Sequence, residues 1–190
     1  DLTQIESGNR ALAGEPFEPE AVARDVLEIV RPGAEEKGLH LAAQLDALDG
    51  LTVRGDERAL RQILLNLAGN AAKFTREGTV TIDANRQDQD GLARLAFRVA
   101  DTGPGIDPAH HRAIFTRFYQ VDSTATRQAE GTGLGLAISA SLAAMMGGTL
   151  EVESAPGRGS VFTLSVALPL VGSETGARPA AADGAGRRAA

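Results

Sequence analysis

The sequence predicts an α+β two-layer sandwich with its helices on one face of a sheet, and three observations carry that prediction. Three stretches, ending near residues 38, 74 and 146, read as helices: the first has its apolar residues at helical spacing, and the other two are apolar almost throughout. Two pairs of segments, 79–84 with 95–99 and 150–153 with 161–168, alternate with a period of two, as antiparallel strand pairs do. A chain of 190 residues that is 43% hydrophobic and 23% charged has the length of one domain and enough apolar residues for a proper core. Helices separated by antiparallel pairs belong to the layered α+β class. Aromatic residues are only 4%, so the core rests on Leu, Val, Ile and Ala.

Residues 1–14 hold a short helix-like piece with Leu2 and Ile5, followed by a turn-rich link through Gly14 and Pro16. The piece is too short to bury anything alone and reads as the end of a longer helix from an upstream domain. From Pro19 the spacing Val22, Val26, Ile29, Val30 marks an amphipathic helix, weakened in its second half by Pro32 and Gly33 and ended at Gly38. Residues 39–45 and 51–53 are strand-like. Asp56 is an N-cap for the next helix, which runs to Phe74. The strands 79–84 and 95–99 are joined by a polar link rich in Asp and Gln. Asp107 and Pro108 form an N-cap and N1 pair for a short helix reaching about Phe115. Residues 134–146 are strongly apolar and stop at Gly147 and Gly148. The last strand pair flanks a turn at 156–159. Past Pro169 the chain turns to Ala, Gly, Arg and Pro without periodicity, so 171–190 is expected to be a disordered tail or linker.

A net charge of −6 argues against a nucleic-acid or anionic-membrane surface. The absence of cysteine excludes disulfides and thiolate metal sites. No stretch approaches the roughly 20 apolar residues a membrane helix needs, and no signal peptide opens the chain. The expected location is cytoplasmic, whatever membrane anchor a parent protein carries, and the abrupt start at Asp1 reads as an excised fragment. His40, His110 and His111 have no partner at metal-ligand spacing and read as surface or structural residues.

Asn66, Asn70 and Lys73 punctuate an otherwise apolar run over 63–74 (ILLNLAGNAAKF). Steps of four and three set them on one helix face, and the surrounding residues are apolar almost all round, so the stripe belongs to a largely buried helix. A buried amide without a partner costs on the order of 1–3 kcal/mol. The stripe is either a polar network that satisfies itself in the core or the lining of a pocket for a polar ligand and a cation. Asp101 shares the inward parity of Leu95, Phe97 and Val99, and a carboxylate there must be paired or hydrogen-bonded. It precedes Thr102-Gly103-Pro104-Gly105-Ile106, whose glycines let the backbone approach a ligand closely. An Asp-capped turn and an acceptor for a donor group on a planar heterocycle both account for this segment. Residues 131–136 (GTGLGL) open the apolar helix and set N–H groups at its positive end, as suits a phosphate, while matching neither the Walker A pattern nor the dinucleotide fingerprint. Phe115 and Phe118, one helical turn apart in FTRFYQ, are expected to pack on the body as a small satellite core. The polar stretch that follows to Glu130 has the makings of a mobile lid.

NLAGNAAKF, DTGPGI, FTRFYQ and GTGLGL thus stand in one order. Together they resemble the N box, first glycine box, F box and second glycine box of the catalytic ATP-binding domain of sensor histidine kinases, in the GHKL superfamily with DNA gyrase and MutL as ATPase relatives. The resemblance covers roughly residues 17–170, in an expected domain of 15–170. It implies a mixed, mostly antiparallel sheet covered on one face by three helices, with ATP and Mg²⁺ as ligands. On this resemblance Asn70 is the Mg²⁺ ligand through its amide oxygen. Asn66 assists at the metal and phosphates and Lys73 contacts a phosphate, which makes Asn66 and Lys73 the catalytic candidates. Phe74 packs near the adenine and Asp101 accepts from its amino group. Gly103, Gly105 and Ile106 belong to the pocket, the glycines also to the lid hinge. Thr132, Gly133, Leu134, Gly135 and Leu136 carry the phosphate-binding amides. Thr163 matches a family threonine near the base, although its parity is opposite to that of Phe162, Leu164 and Val166.

The resemblance also implies donation of the ATP γ-phosphoryl to a histidine on a partner dimerisation and phosphoacceptor domain, for onward transfer to a response regulator or fused receiver domain. Residues 1–8 resemble the end of that partner domain's second helix. Its phosphoacceptor histidine motif is absent, so the chain is expected to bind ATP without autophosphorylating. Hydrolysing relatives carry Glu where this chain has Asn66, which implies slow free hydrolysis. Ala129-Glu130 departs from the aromatic or basic residue and Gly frequent before the second glycine box. FYQ followed by VDSTATR resembles hybrid kinases, which makes the tail a candidate linker to a receiver. Rival functions are a non-catalytic nucleotide-binding module, and a GHKL ATPase or an anti-sigma-type serine kinase.

Overall fold

The computed structural model describes residues 14–120 and 132–171. The expected helix end in the first residues, VDSTATR, Ala129-Glu130 and the tail from 172 lie outside the described residues. In chain order the elements are β1 (Glu15–Phe17), α1 (Pro19–Glu35), β2 (His40–Gln44), β3 (Val53–Gly55), α2 (Glu57–Phe74), β4 (Thr79–Gln89), β5 (Leu92–Asp101), α3 (Gly135–Met145), β6 (Thr149–Ser154) and β7 (Ser160–Pro169).

Five strands form one sheet in the order β2-β4-β5-β7-β6, with β2 parallel to β4 and every other pair antiparallel. This is the mixed, mostly antiparallel sheet expected. Its inward residues Val80, Ile82, Leu95, Phe97, Val99 and Leu164 are all at most 1% exposed, and so are Leu60, Ile63, Leu64 and Leu67 of α2 that pack over them. Each such aliphatic side chain contributes roughly 1.5–3 kcal/mol on burial, which makes the α2–sheet layer the main cohesive term. The alternate residues Thr81, Asp83, Arg98 and Thr163 lie on the uncovered face, half-buried or exposed.

After the first helix the structure differs from the sequence expectation at four places, each with a local cause. α1 itself runs as expected through Pro32, to Glu35. Val22, Ala23, Val26, Leu27, Val30 and Ala34 are buried along it, and that burial outweighs the roughly 3 kcal/mol a helical proline costs. It stops as expected at Gly38, which has φ +67° and donates its N–H to Glu35 O (2.9 Å). The polar link 85–94 is strand: β4 and β5 form one long hairpin closed by Asp90-Gly91, both at positive φ (53° and 76°), as a type I′ turn requires. Residues 15–17 are a strand, because they pair with β3, and that pairing moves β3 forward to Val53–Gly55. The short helix after Asp107 is two 3-10 turns, Pro108–His110 and Ala113–Phe115. The domain closes where Leu170 bridges Val53 and Val171 N–H donates to Thr52 O (3.1 Å).

Asp56 is 4% exposed, and its Oδ1 accepts from Ala59 N–H (3.0 Å), capping α2 as expected. Replacing it with Ala should cost about 1 kcal/mol, in a range of roughly 0.5–2, measured as a lower urea midpoint at unchanged slope.

Candidate functional site

The polar stripe of α2 divides into two kinds of residue. Asn66 is half-buried and donates from Nδ2 to Ser139 Oγ on α3 (3.0 Å). A Cβ at Gly135 would overlap the Asn66 amide, so only glycine lets α3 start so close to α2. For Asn66, then, the self-satisfied core network is real, and it also brings the glycine-rich start of α3 against the stripe. Asn70, one turn later and half-buried, has no side-chain hydrogen bond to any described residue. Lys73 follows, with Nζ 5.3 Å from the centre of the Phe74 ring, and both side chains are half-buried. The carbonyl end of α2 is closed from outside: Lys37 Nζ donates to Ala72 O (2.8 Å), Lys73 O (2.6 Å) and Thr75 O (3.4 Å). A cation there complements the negative end of the helix dipole and holds the turn that carries Lys73 and Phe74.

Asp101 ends β5 between Val80 on β4 and Ser160 on β7. Its Oδ1 accepts from Gly103 N–H (2.8 Å). Burial pushes its carboxyl above the usual range, opposed by the Gly103 N–H and by the N–H and hydroxyl of Ser160. Gly103 needs to be glycine because a Cβ would come 2.8 Å from Asp101 Oδ1, 3.2 Å from Thr75 Oγ1 and 3.5 Å from Phe74 O. Gly105, at φ +71°, is pressed against the carbonyl of Ala155. The space cleared by both glycines is therefore filled by protein atoms. Pro104 O accepts from Gly157 N–H (2.7 Å) and Ile106 N–H donates to Ser154 Oγ (2.7 Å), so the loop is locked to the β6–β7 turn.

At the other side of the site, Gly133 (φ +67°) meets the backbone of Phe118, whose N–H donates to Gly133 O (2.9 Å). Thr132 is exposed, while Gly133, Leu134, Gly135 and Leu136 are half-buried at the start of α3. Phe115 packs edge-on to Phe162 (6.4 Å between centres) as the satellite core predicts, but Phe118 does not. Its backbone has φ +63° and its side chain is 72% exposed, because the pairing with Gly133 turns it outward. His110 Nδ1 contacts Tyr119 Oη (2.5 Å) and His111 Nε2 contacts Ile106 O (3.3 Å), the structural roles expected. No cluster of three or more metal-ligating His, Asp or Glu occurs among the described residues.

Thr163 is a correction. It sits on the uncovered face between Arg98 and Glu151, on the side of the sheet away from Asp101. The hydroxyl that serves Asp101 is Ser160, three residues earlier and on the inward side with Phe162 and Leu164. Parity alone could have found it. Sequence reasoning also passed over Ser139, Ser154 and Lys37. It missed Thr75 too, a fully buried residue whose Oγ1 has no hydrogen-bond partner among the described residues.

The family model for histidine kinase-, DNA gyrase B- and HSP90-like ATPases matches residues 55–170. The chain belongs to this family. The sensor protein GacS of Pseudomonas syringae pv. syringae is 43% identical over 170 residues, 89% of this chain and 19% of that protein. The autoinducer 2 sensor kinase/phosphatase LuxQ of Vibrio cholerae serotype O1 is 36% identical over 171 residues, 90% of this chain and 20% of its own length. The chain thus spans about a fifth of these curated relatives. Among solved structures, full-length ShkA in complex with AMPPNP is similar with a TM-score of 0.72 at 41% identity, covering 84% of this chain and 32% of that one. The mycobacterial sensor histidine kinase MprB matches at 0.67 and 28%, covering 83% and 99%. The fold is that of the ATP-binding domain of histidine kinases.

The direction of the Asp101 shift sets a sign for stability. A carboxyl whose folded pKa lies above its ordinary 3.8 keeps its proton longer in the native state, so stability falls as pH rises from that value through the folded pKa. Asp101→Asn should remove that decline. Denaturant unfolding of the two proteins across mildly acidic pH checks it, and parallel pH curves would count against it.

Proposed function

We propose that this domain binds ATP with Mg²⁺ and donates the γ-phosphoryl group to a histidine on a partner phosphoacceptor domain. The observation that carries the reading is the half-buried amide of Asn70, without a described partner, on the same helix face as Asn66 and Lys73 and beside the glycine-rich start of α3. Such an amide, partly open and not engaged by a described residue, is available to a ligand. Mg²⁺ takes oxygen ligands and keeps several waters, so one amide oxygen and the phosphates of the nucleotide suffice to hold it, with no carboxylate cluster. Bound there, the ion would neutralise phosphate charge during transfer.

Each remaining residue has a part that its surroundings support. Asp101, an acceptor fixed from two sides, takes the amino group of adenine, and Phe74 packs near the ring. Lys73 supplies positive charge toward the phosphates, and the N–H groups of residues 132–136 receive them at the start of α3. Asn66 assists at the phosphates. As an amide it offers no general base for water, which favours transfer to an external imidazole over hydrolysis. Phosphoryl transfer asks chiefly for positioning and charge neutralisation, and this set provides both.

The acceptor histidine belongs to another domain, and the phosphoryl group then passes to a response-regulator aspartate, on a separate protein or a fused receiver. Use of ATP and a response regulator places the domain in the cytoplasm. No helix among the described residues is long and apolar enough to cross a membrane.

Two measurements test this. Mixing the chain with a His-bearing phosphoacceptor domain and γ-labelled ATP should give acid-labile label on that domain's histidine. Rapid release of free phosphate, or acid-stable label, would instead identify an ATPase or a serine kinase. Asn70→Ala should weaken ADP binding by about tenfold with Mg²⁺ and far less with a chelator present. Equal losses in both conditions would remove Asn70 from the metal.

A further inference from the structure

The β6–β7 hairpin takes no part in the reading above, yet one of its hydroxyls reaches both halves of the base site. Ser154, the last residue of β6, is half-buried, and its Oγ has three neighbours at hydrogen-bonding distance. Ile106 N–H donates to it (2.7 Å), Gly159 O lies 2.7 Å away and Ser160 Oγ 3.0 Å away. A serine hydroxyl has one proton and two lone pairs, so the Ile106 N–H takes one lone pair while the single proton serves both Gly159 O and Ser160 Oγ. Ile106 closes the loop that starts at Asp101. Ser160 stands opposite Asp101 at the last rung of β5 and β7, where its N–H and hydroxyl favour the charged carboxyl. The side chain that ties the loop is thus also the one that meets the group orienting the carboxylate.

We propose that Ser154 is a positioning residue for base recognition: its hydroxyl fastens the loop after β5 to the β6–β7 turn and, through Ser160, aims the Asp101 carboxylate at the amino group of the base. The inference rests on the assignment of Asp101 as that acceptor. Ser160 has a single proton, and a carboxylate is the stronger acceptor for it. With that proton on Asp101, the Ser160 oxygen faces Ser154, whose proton is shared between Gly159 O and Ser160 Oγ. A chain of hydroxyls of this kind polarises along its length, and it ends on the one charged atom group in the network. Removing Ser154 leaves the Ile106 N–H without its acceptor and frees Ser160 to turn away from Asp101. Gly159 cannot compensate by moving in, because its Cα already lies against the carbonyl of Asp101.

The test separates positioning from folding by changing the ligand as well as the protein. The full chain carrying Ser154→Ala is titrated with ADP and with purine riboside diphosphate, which lacks the 6-amino group. Affinity for ADP should fall about tenfold while affinity for the analogue stays within about twofold, and Ser154→Thr should restore the difference. Ser154→Cys, of similar size with a weak donor, is measured alongside so that a folding defect in one variant does not decide the matter; it should fall between. Equal losses for both ligands, or none for either, would overturn the inference. Asp101→Asn serves as the reference. If it fails to distinguish the two ligands, the assignment of Asp101 itself is wrong. If it distinguishes them and the Ser154 variants do not, only the role of Ser154 is lost.

Discussion

The site depends on keeping one carboxylate charged at the end of a buried strand. Asp101 continues the inward row of Leu95, Phe97 and Val99, and desolvation there works against its ionised form. The Gly103 N–H, 2.8 Å from Oδ1, and the N–H and hydroxyl of Ser160 oppose that penalty. All three come from segments placed by the β5–β7 ladder, which sets Asp101 opposite Ser160 at its last rung. The register of two strands thus sets the surroundings that oppose desolvation of this carboxylate. A slip of one residue would bring the outward side chain Val161 to that rung and leave Asp101 without its hydroxyl.

α2 carries the other half of the site by a different compromise. Its inward apolar residues are buried, yet the same helix keeps the Asn70 and Lys73 side chains only half-buried. The two asparagines resolve the conflict unequally. Asn66 gives its N–H to Ser139 and packs on Gly135, so its geometry comes from the α2–α3 crossing. Asn70 has no such support from a described residue. Lys37, reaching from the end of α1 to the last carbonyls of α2, steadies the turn between these residues and Asp101. Of the two readings of the stripe, the core network holds for Asn66.

Most of this architecture was legible because its periodicities are strong. Helix α2 with its Asp56 cap, α3 with its glycine stop, and the inward parity of Asp101 all follow from local rules that tertiary structure did not override. What was missed was carried by pairing instead of by pattern. The polar ends of β4 and β5 lack apolar alternation, and only Asp90-Gly91 announced the hairpin. β1 has three residues and exists because β3 receives it. Phe118 has the spacing of a core residue, but its side chain is turned out by a backbone contact to a glycine fifteen residues away, which no window of sequence contains. Thr163 was chosen by resemblance against its own parity, and parity was the better guide.

The glycines sharpen the same lesson about cause. Gly103, Gly105 and Gly159 look like a flexible surround for a ligand, yet each is required by a protein neighbour: Thr75 and Asp101 for the first, Ala155 for the second, the Asp101 carbonyl for the third. Their small size lets two loops interlock around the carboxylate, and the interlock stiffens what glycine alone would loosen. Fixed donors and acceptors bind a ligand without a reorganisation cost at the moment of contact. A Cβ at any of the three would force the loops apart and release Asp101 from Gly103 and Ser160 together. The base side of this site is therefore preorganised by close backbone packing, while the phosphate side opens from the helix start at Gly135. That division suits the nucleotide-binding role proposed above, with the nucleoside held by the preorganised side.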